Sequence, residues 1–206
     1  MIIPQEVNTL VFDLGGVIYN IDIQLGIDNF KKIGFVDADN YIGHFSHNDF
    51  FVGWESGKVD IDTFRKEIKK RCVNPVSFNQ IDEAWESILI DIPDDRIKLL
   101  KKLKKKYRLL MLSNTNPIHI NVSLKKELAK RGLTVEDLFD KAYYSFEVGH
   151  IKPSKEIFEY LLKDANVKAE DCLFLDDGSK NIEVANELGF KTYLVTPGQN
   201  LDFLLQ

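Results

Sequence analysis

Cysteine is scarce in this chain. Cys72 and Cys172 are the only two among 206 residues. They are too few and too far apart for a disulfide framework or a metal knuckle. Cys172 opens an apolar run, which marks it as a buried thiol. Long hydrophobic stretches are missing too: none approaches the ~18 apolar residues of a membrane span. The start, Met-Ile-Ile-Pro-Gln-Glu, has neither a basic segment nor a long apolar one. No signal peptide is therefore expected, and the cytoplasm is the expected compartment. Basic charge is not in excess: 27 Lys and Arg stand against 32 Asp and Glu, a net charge of -5. That balance argues against nucleic acid as a partner. Internal repeats and low-complexity tracts are absent. What remains, 44% apolar and 29% charged, is an ordinary globular composition with material for a real core.

Five short apolar runs, rich in β-branched and aromatic residues and bounded by turn signals, read as buried strands. They are Val7 to Leu14, Tyr107 to Leu112, Lys141 to Phe146, Cys172 to Leu175 and Phe190 to Val195. Helical patterns separate the last four. Asp95 to Lys106 carries Ile97, Leu100 and Leu103 at helical spacing. Asn121 to Arg131 ends at Gly132. Ser154, after Pro153, is placed to cap a helix running to Ala165. Ser179 to Leu188 stops at Gly189. Strands alternating with helices predict an α/β fold with a doubly wound parallel sheet, whose ligands gather at the carboxyl ends of the strands.

One gap breaks the alternation. About ninety residues between the first two strands show no strand pattern. Asp60 reads as the N-cap of a helix over Ile61 to Arg71. Phe78, Ile81, Trp85, Ile88 and Leu89 line one face of the next. The expected division is a core of residues 1–19 and 93–206 and an all-helical cap of residues 20–92, with Pro93 marking the return. An insertion directly after Leu14-Gly15-Gly16 sits over the strand ends, where it is placed to act as a lid.

The strand ends collect polar groups. The first ends at Asp13. Ser113 stands at the tip of the second, in Leu-Ser-Asn-Thr-Asn. After the third, Glu147-Val-Gly-His-Ile-Lys-Pro-Ser154 puts Lys152 just before a helix. The fourth ends in Asp176-Asp177-Gly-Ser-Lys-Asn181. In a parallel sheet these ends meet at one edge. Three carboxylates there repel one another unless a cation lies among them. An oxygen-only ligand set suits Mg²⁺, which takes a few carboxylates, water and a substrate phosphate. A carboxylate beside Mg²⁺ is a nucleophile for phosphorus. Ser113 and the loop after it, Asn114 included, are placed to hold phosphate oxygens, and Lys152 to neutralise charge on the transferring group.

These four segments resemble the motifs of the haloacid dehalogenase-like hydrolase superfamily, and the inserted helices resemble its helical cap. The resemblance spans the whole chain. It implies a Rossmann-like core, with Asp13 as nucleophile, Ser113 as the phosphate-binding hydroxyl and Lys152 as the family lysine. It implies Mg²⁺ held by Asp13, the Gly15 carbonyl and the acid pair, Asp177 directly and Asp176 through water. Trp54 and Glu55 fall where the family's cap meets its substrate. One departure stands out. Most family phosphatases carry a second Asp where this chain has Gly15, and it protonates the leaving alcohol. Such help is typically worth ~10²–10⁴-fold. Four readings follow: an easy leaving group, another proton donor, different chemistry, or a dead site. Asp22, nine residues after Asp13, is one candidate donor. Phe-Asp-Leu-Gly-Gly-Val and Trp54-Glu-Ser-Gly-Lys-Val-Asp60 are similar to a bacterial subgroup that includes α-D-glucose-1-phosphate phosphatase. That subgroup implies a small phosphorylated metabolite with an acidic leaving alcohol, such as a hexose 1-phosphate. Dehalogenases of the family also lack the second Asp, but they need no metal and keep no acid pair. A dehalogenase, or a non-catalytic binder of a phosphorylated ligand or partner, is the alternative.

Plainer readings compete at each position. Asp13 also fits a turn before Gly-Gly, Asp176 and Asp177 a helix N-cap, and Ser113 a turn. Asn181 either positions an acid or only sits on its helix. Lys101 to Lys106 reads as a solvated helix face, since Leu100 and Leu103 define the buried side. His44 and His47 have helical metal-pair spacing without a third ligand. Trp54 and Trp85 also fit a hydrophobic core.

Overall fold

The computed structural model describes residues 3–43 and 49–206. His44 and His47 lie outside the described residues. The chain opens with strand β1 (Thr9–Phe12). A short strand β2 (Asn20–Ile21) leads into helices α1 (Ile23–Lys32), α2 (Asp49–Glu55), α3 (Ile61–Arg71) and α4 (Phe78–Glu86), then strand β3 (Leu89–Asp91). Helix α5 (Asp94–Leu103) precedes strand β4 (Arg108–Ser113). A π-helical turn (His119–Leu124) runs into α6 (Lys125–Ala129), followed by α7 (Val135–Leu138), β5 (Lys141–Tyr144) and α8 (Ser145–Val148). The chain then alternates α9 (Lys155–Ala165), β6 (Cys172–Asp176), α10 (Ser179–Glu187) and β7 (Lys191–Leu194).

Five of these strands form one parallel sheet in the order β5-β4-β1-β6-β7. Successive side chains point to opposite faces. Leu10 and Phe12 pack on one side with residues of α5 and α6, while Val11 packs on the other with residues of α9 and α10. Both faces of β1 are covered, which is why it reads as an unbroken apolar run. Each fully buried Leu or Phe contributes roughly 1.5–3 kcal/mol. The register decides where the polar ends fall. Phe12 pairs with Met111 on one side and Leu175 on the other. Asp13 therefore leaves the sheet between the ends of β4 and β6, with its N–H donating to the Leu175 carbonyl at 2.9 Å.

The residues between β2 and β3 carry their own apolar centre, largely aromatic: Phe30, Phe35, Phe51, Trp54, Phe64 and Trp85. Asp60 caps α3 by accepting from the Thr63 N–H at 2.8 Å, as the sequence predicts. Ser77 and Gln80 form a capping box at α4. Among the described residues, no helix is long and apolar enough to cross a membrane.

Some local expectations shift. The insertion is not purely helical: Asn20–Ile21 pairs antiparallel with Leu89–Asp91. Leu89 thus belongs to a strand. Its helical spacing from Trp85 is overridden by this pairing and by the Asn20 side chain donating to Asp91 at 2.8 Å. Phe78 lies exposed at the start of α4, with Arg65 and Lys69 over its ring at 5.8 and 5.7 Å. Ser154 occupies the N-cap position of α9, but its hydroxyl makes no capping bond. The helix after β4 starts earlier than Asn121, because His119 is drawn into it by Asn116, whose side chain accepts from the His119 N–H at 3.0 Å.

Candidate active site

The carboxyl ends of β1, β4 and β6 open onto a cavity of about 670 Å³ between the sheet and the inserted helices. Asp13, Gly15, Ser113, Asn114, Lys152 and Asp177 line its floor; Ile21, Tyr41, Phe51, Glu55, Trp85 and Ile88 line the opposite wall. Four strand-end motifs far apart in sequence are thus brought together, as parallel topology requires.

Lys152 is the centre of the floor. It is 3% exposed, and its Nζ lies 2.9 Å from Asp13 Oδ1 and 2.6 Å from Asp176 Oδ2. Burial works to lower its pKa, but Asp13 and Asp176 outweigh that and hold the ammonium above the usual lysine value. Asp13 Oδ1 also accepts from the Leu14 N–H at 2.7 Å. Burial pushes the Asp13 carboxyl up to about 7; Lys152 opposes this, while Asp176 and Asp177 add to it. Burial first and like charges second produce this rise, and a cation opposes it.

Asp176 is fully buried. It accepts from Lys152 Nζ, from the Gly178 N–H at 2.7 Å and from Asn181 Nδ2 at 2.8 Å. Asn181 therefore positions an acid. Asn114 has both ends of its amide engaged by the Lys152 main chain: Nδ2 donates to the carbonyl and Oδ1 accepts from the N–H, each at 2.8 Å. It lines the cavity, yet its visible task is to fix Lys152. Ser113 is 2% exposed, and among the described residues its hydroxyl makes only a long 3.4 Å contact to the Asn114 carbonyl.

Asp13, Asp176 and Asp177 each offer an oxygen within 4.8 Å of the others. The backbone makes room for this. Gly16 sits at φ +72, and a Cβ there would stand 2.2 Å from Asp177 Oδ2. An all-carboxylate set of this spacing fits a hard divalent cation.

Trp54 does not reach the cavity. It is fully buried, stacked on Phe64 with centroids 4.4 Å apart. Glu55, the next residue, faces the cavity and is half-buried. Asp22 is exposed and caps α1, accepting from the Leu25 N–H at 2.9 Å. His119 lines the cavity without having been singled out in the sequence. A lone histidine in an apolar helical pattern carries no signal of its own.

The haloacid dehalogenase-like hydrolase profile matches residues 7–189. The chain belongs to that family. Among related proteins, the D-ribitol-5-phosphate phosphatase of Bacteroides thetaiotaomicron is 35% identical over 187 residues, covering 91% of both chains. Solved structures of the haloacid dehalogenase-like enzyme BT-2542 of that organism include an aspartate-to-alanine mutant with magnesium and inorganic phosphate. It superposes with a TM-score of 0.93 at 38% identity, over 97% of this chain and 99% of that one. A family hydrolase of Porphyromonas gingivalis gives a TM-score of 0.87 at 32% identity, over 95% and 94% of the two chains. Magnesium in the BT-2542 structures agrees with the carboxylate cluster here, and Mg²⁺ is the cofactor of this haloacid dehalogenase-like phosphatase.

Proposed function

We propose that the chain hydrolyses the phosphate ester of a small sugar or sugar alcohol through an aspartyl-phosphate on Asp13. The observation that supports this most is the Lys152 ammonium, held between Asp13 and Asp176 on the floor of the cavity, with Asp177 alongside. Lys152 keeps Asp13 ionised and ready to attack, and offsets charge on the transferred group. Ser113 holds a phosphate oxygen. Asp13, Asp177 and the Gly15 carbonyl would hold Mg²⁺ directly, with Asp176 behind them, oriented by Asn181. The bound ion supplies charge neutralisation for the phosphoryl oxygens. Water then hydrolyses the aspartyl-phosphate.

In this proposal residues 1–19 and 93–206 form the core and residues 20–92 a cap that supplies the roof of the cavity. The substrate class extends beyond a hexose 1-phosphate. A related phosphatase is named for ribitol 5-phosphate, an ester of a primary alcohol. Glu55 is the one charged cavity residue the cap contributes among the described residues, and a carboxyl suits sugar hydroxyls.

A panel of sugar and polyol phosphates and of haloacids, each with Mg²⁺ or with chelator, tests the reading in wild type and Asp13→Asn. Phosphate release that needs both Mg²⁺ and Asp13 is expected. Equal turnover by Asp13→Asn removes the nucleophile. Halide release without metal makes the chain a dehalogenase.

A further inference from the structure

Gly15 leaves the departing oxygen without the neighbouring acid found in most family phosphatases. In-line displacement puts that oxygen on the far side of phosphorus from the nucleophile. Asp13 attacks from the sheet edge, so the leaving oxygen faces across the cavity, toward the inserted helices. Glu55 is the carboxyl on that wall. It ends α2, lines the same cavity as Asp13 and Gly15, and its side chain makes no hydrogen bond or ion pair among the described residues. Its end of the helix is pinned. Gly57, two residues on, has φ +72, and a Cβ there would stand 2.1 Å from the Phe146 carbonyl oxygen of α8. The turn after Glu55 thus lies directly against the core. Asp22, the donor considered from the sequence, is exposed and already caps α1.

We infer that Glu55 is a catalytic residue: the general acid for the leaving alcohol, and then the general base for the attacking water. The inference rests on the phosphatase reading above. In the first step an Asp13 oxygen bonds to phosphorus as the P–O bond to the alcohol breaks. The Glu55 proton passes to the departing oxygen, leaving a free alcohol, an aspartyl-phosphate and a Glu55 carboxylate. In the second step water enters where the alcohol left. Its oxygen bonds to phosphorus, one of its protons returns to Glu55, and Asp13 is released with inorganic phosphate. Burial pushes Glu55 up to about 7, against the pull of Lys152, so both protonation states are accessible near neutrality. The cap thus delivers the proton that the loop after β1 does not.

A series of substituted aryl phosphates tests this, because the esters share one shape and offer Glu55 no hydroxyl to bind. They differ in the basicity of the leaving oxygen. kcat/KM reports the step up to aspartyl-phosphate formation, before water enters. Wild type should show a shallow fall in kcat/KM as the leaving group becomes more basic. Glu55→Gln, nearly isosteric, should show a steep one, with a loss of about 10²-fold or more at the most basic ester and nearly none for dinitrophenyl phosphate. Glu55→Ala, measured beside it, should steepen the line in the same way. Parallel lines, with an equal loss at every ester, overturn the role of Glu55 and leave the phosphatase reading intact. So does a wild-type line as steep as the variants'. Failure of wild type to hydrolyse any ester with Mg²⁺ overturns the phosphatase reading itself.

Discussion

Gly15 and Gly16 are adjacent, and they differ in what they tolerate. A Cβ on Gly15 would meet only the Ile21 side chain, at 3.5 Å, an ordinary contact. Gly16 combines φ +72 with an Asp177 oxygen 2.2 Å from where its Cβ would be. Alanine there forces a left-handed conformation, worth roughly 1–2 kcal/mol, and displaces a carboxylate of the cluster. Gly15→Ala is therefore expected to fold with little change in melting temperature. Gly16→Ala should melt earlier and need roughly 10–100-fold more Mg²⁺ for half-maximal activity. A Mg²⁺ titration of both variants decides it; a native requirement in Gly16→Ala would detach Asp177 from metal binding. The sequence made Gly15 conspicuous, because an acid is absent there. Gly16 read only as half of a turn, since the residue that needs its space, Asp177, lies about 160 positions away. Asn114 was read as a phosphate contact, and its hold on Lys152 was hidden for the same reason: its partner is the main chain of Lys152, and main-chain groups leave no mark in a sequence.

Helix α2 shows what an element adds to its residues. Trp54 and Glu55 are neighbours, and a helix turns about 100° between neighbours, so one faces inward and the other the cavity. The sequence grouped them as substrate contacts because both fall in the segment that resembles the family's cap. A helix of seven residues is too short for periodicity to assign its faces. The fold separates them: Trp54 packs on Phe64, and Glu55 looks at the floor. Trp54→Phe should then lower stability by roughly 1–3 kcal/mol, about 2–4 °C per kcal/mol for a chain of this size. KM, measured well below the transition, should stay near wild type. A raised KM with an unchanged melting temperature would return the ring to the substrate. The sheet strands were legible because each is an apolar run closed by turn residues. The β2–β3 ribbon was not: strands of two and three residues show no alternation, and their partners are some seventy positions apart.

At the scale of the whole molecule, one of the contacts between the sheet edge and the inserted helices depends on a proton. His119 follows β4, yet its ring stacks on Trp85 of α4 at 5.4 Å. Its Nε2 lies 2.9 Å from the Trp85 carbonyl, which only accepts, so Nε2 carries the proton. Nδ1 is then left to accept from Asn116 Nδ2 at 3.1 Å. That pattern requires neutral imidazole. Burial pushes the His119 pKa down to about 4, although the Trp85 carbonyl draws it upward. The unfolded chain, with an ordinary histidine near 6.5, binds more protons between those values. Stability from His119 is thus complete above about pH 6.5 and is lost as pH falls toward 4. Glu55, raised to about 7 by burial, acts in the opposite sense: the folded chain holds its proton longer, so stability declines as pH rises from about 4.5 to 7. The two trends overlap and partly cancel in a wild-type profile. Subtraction separates them. Chemical denaturation of wild type and His119→Gln, compared at each pH with chelator present, removes the carboxylate contribution common to both. The wild-type advantage should be full at pH 7 and shrink by on the order of 3 kcal/mol by pH 4. A gap that stays constant across that range would mean His119 binds its proton equally in both states, and the contact between sheet edge and inserted helices would then not depend on a neutral ring.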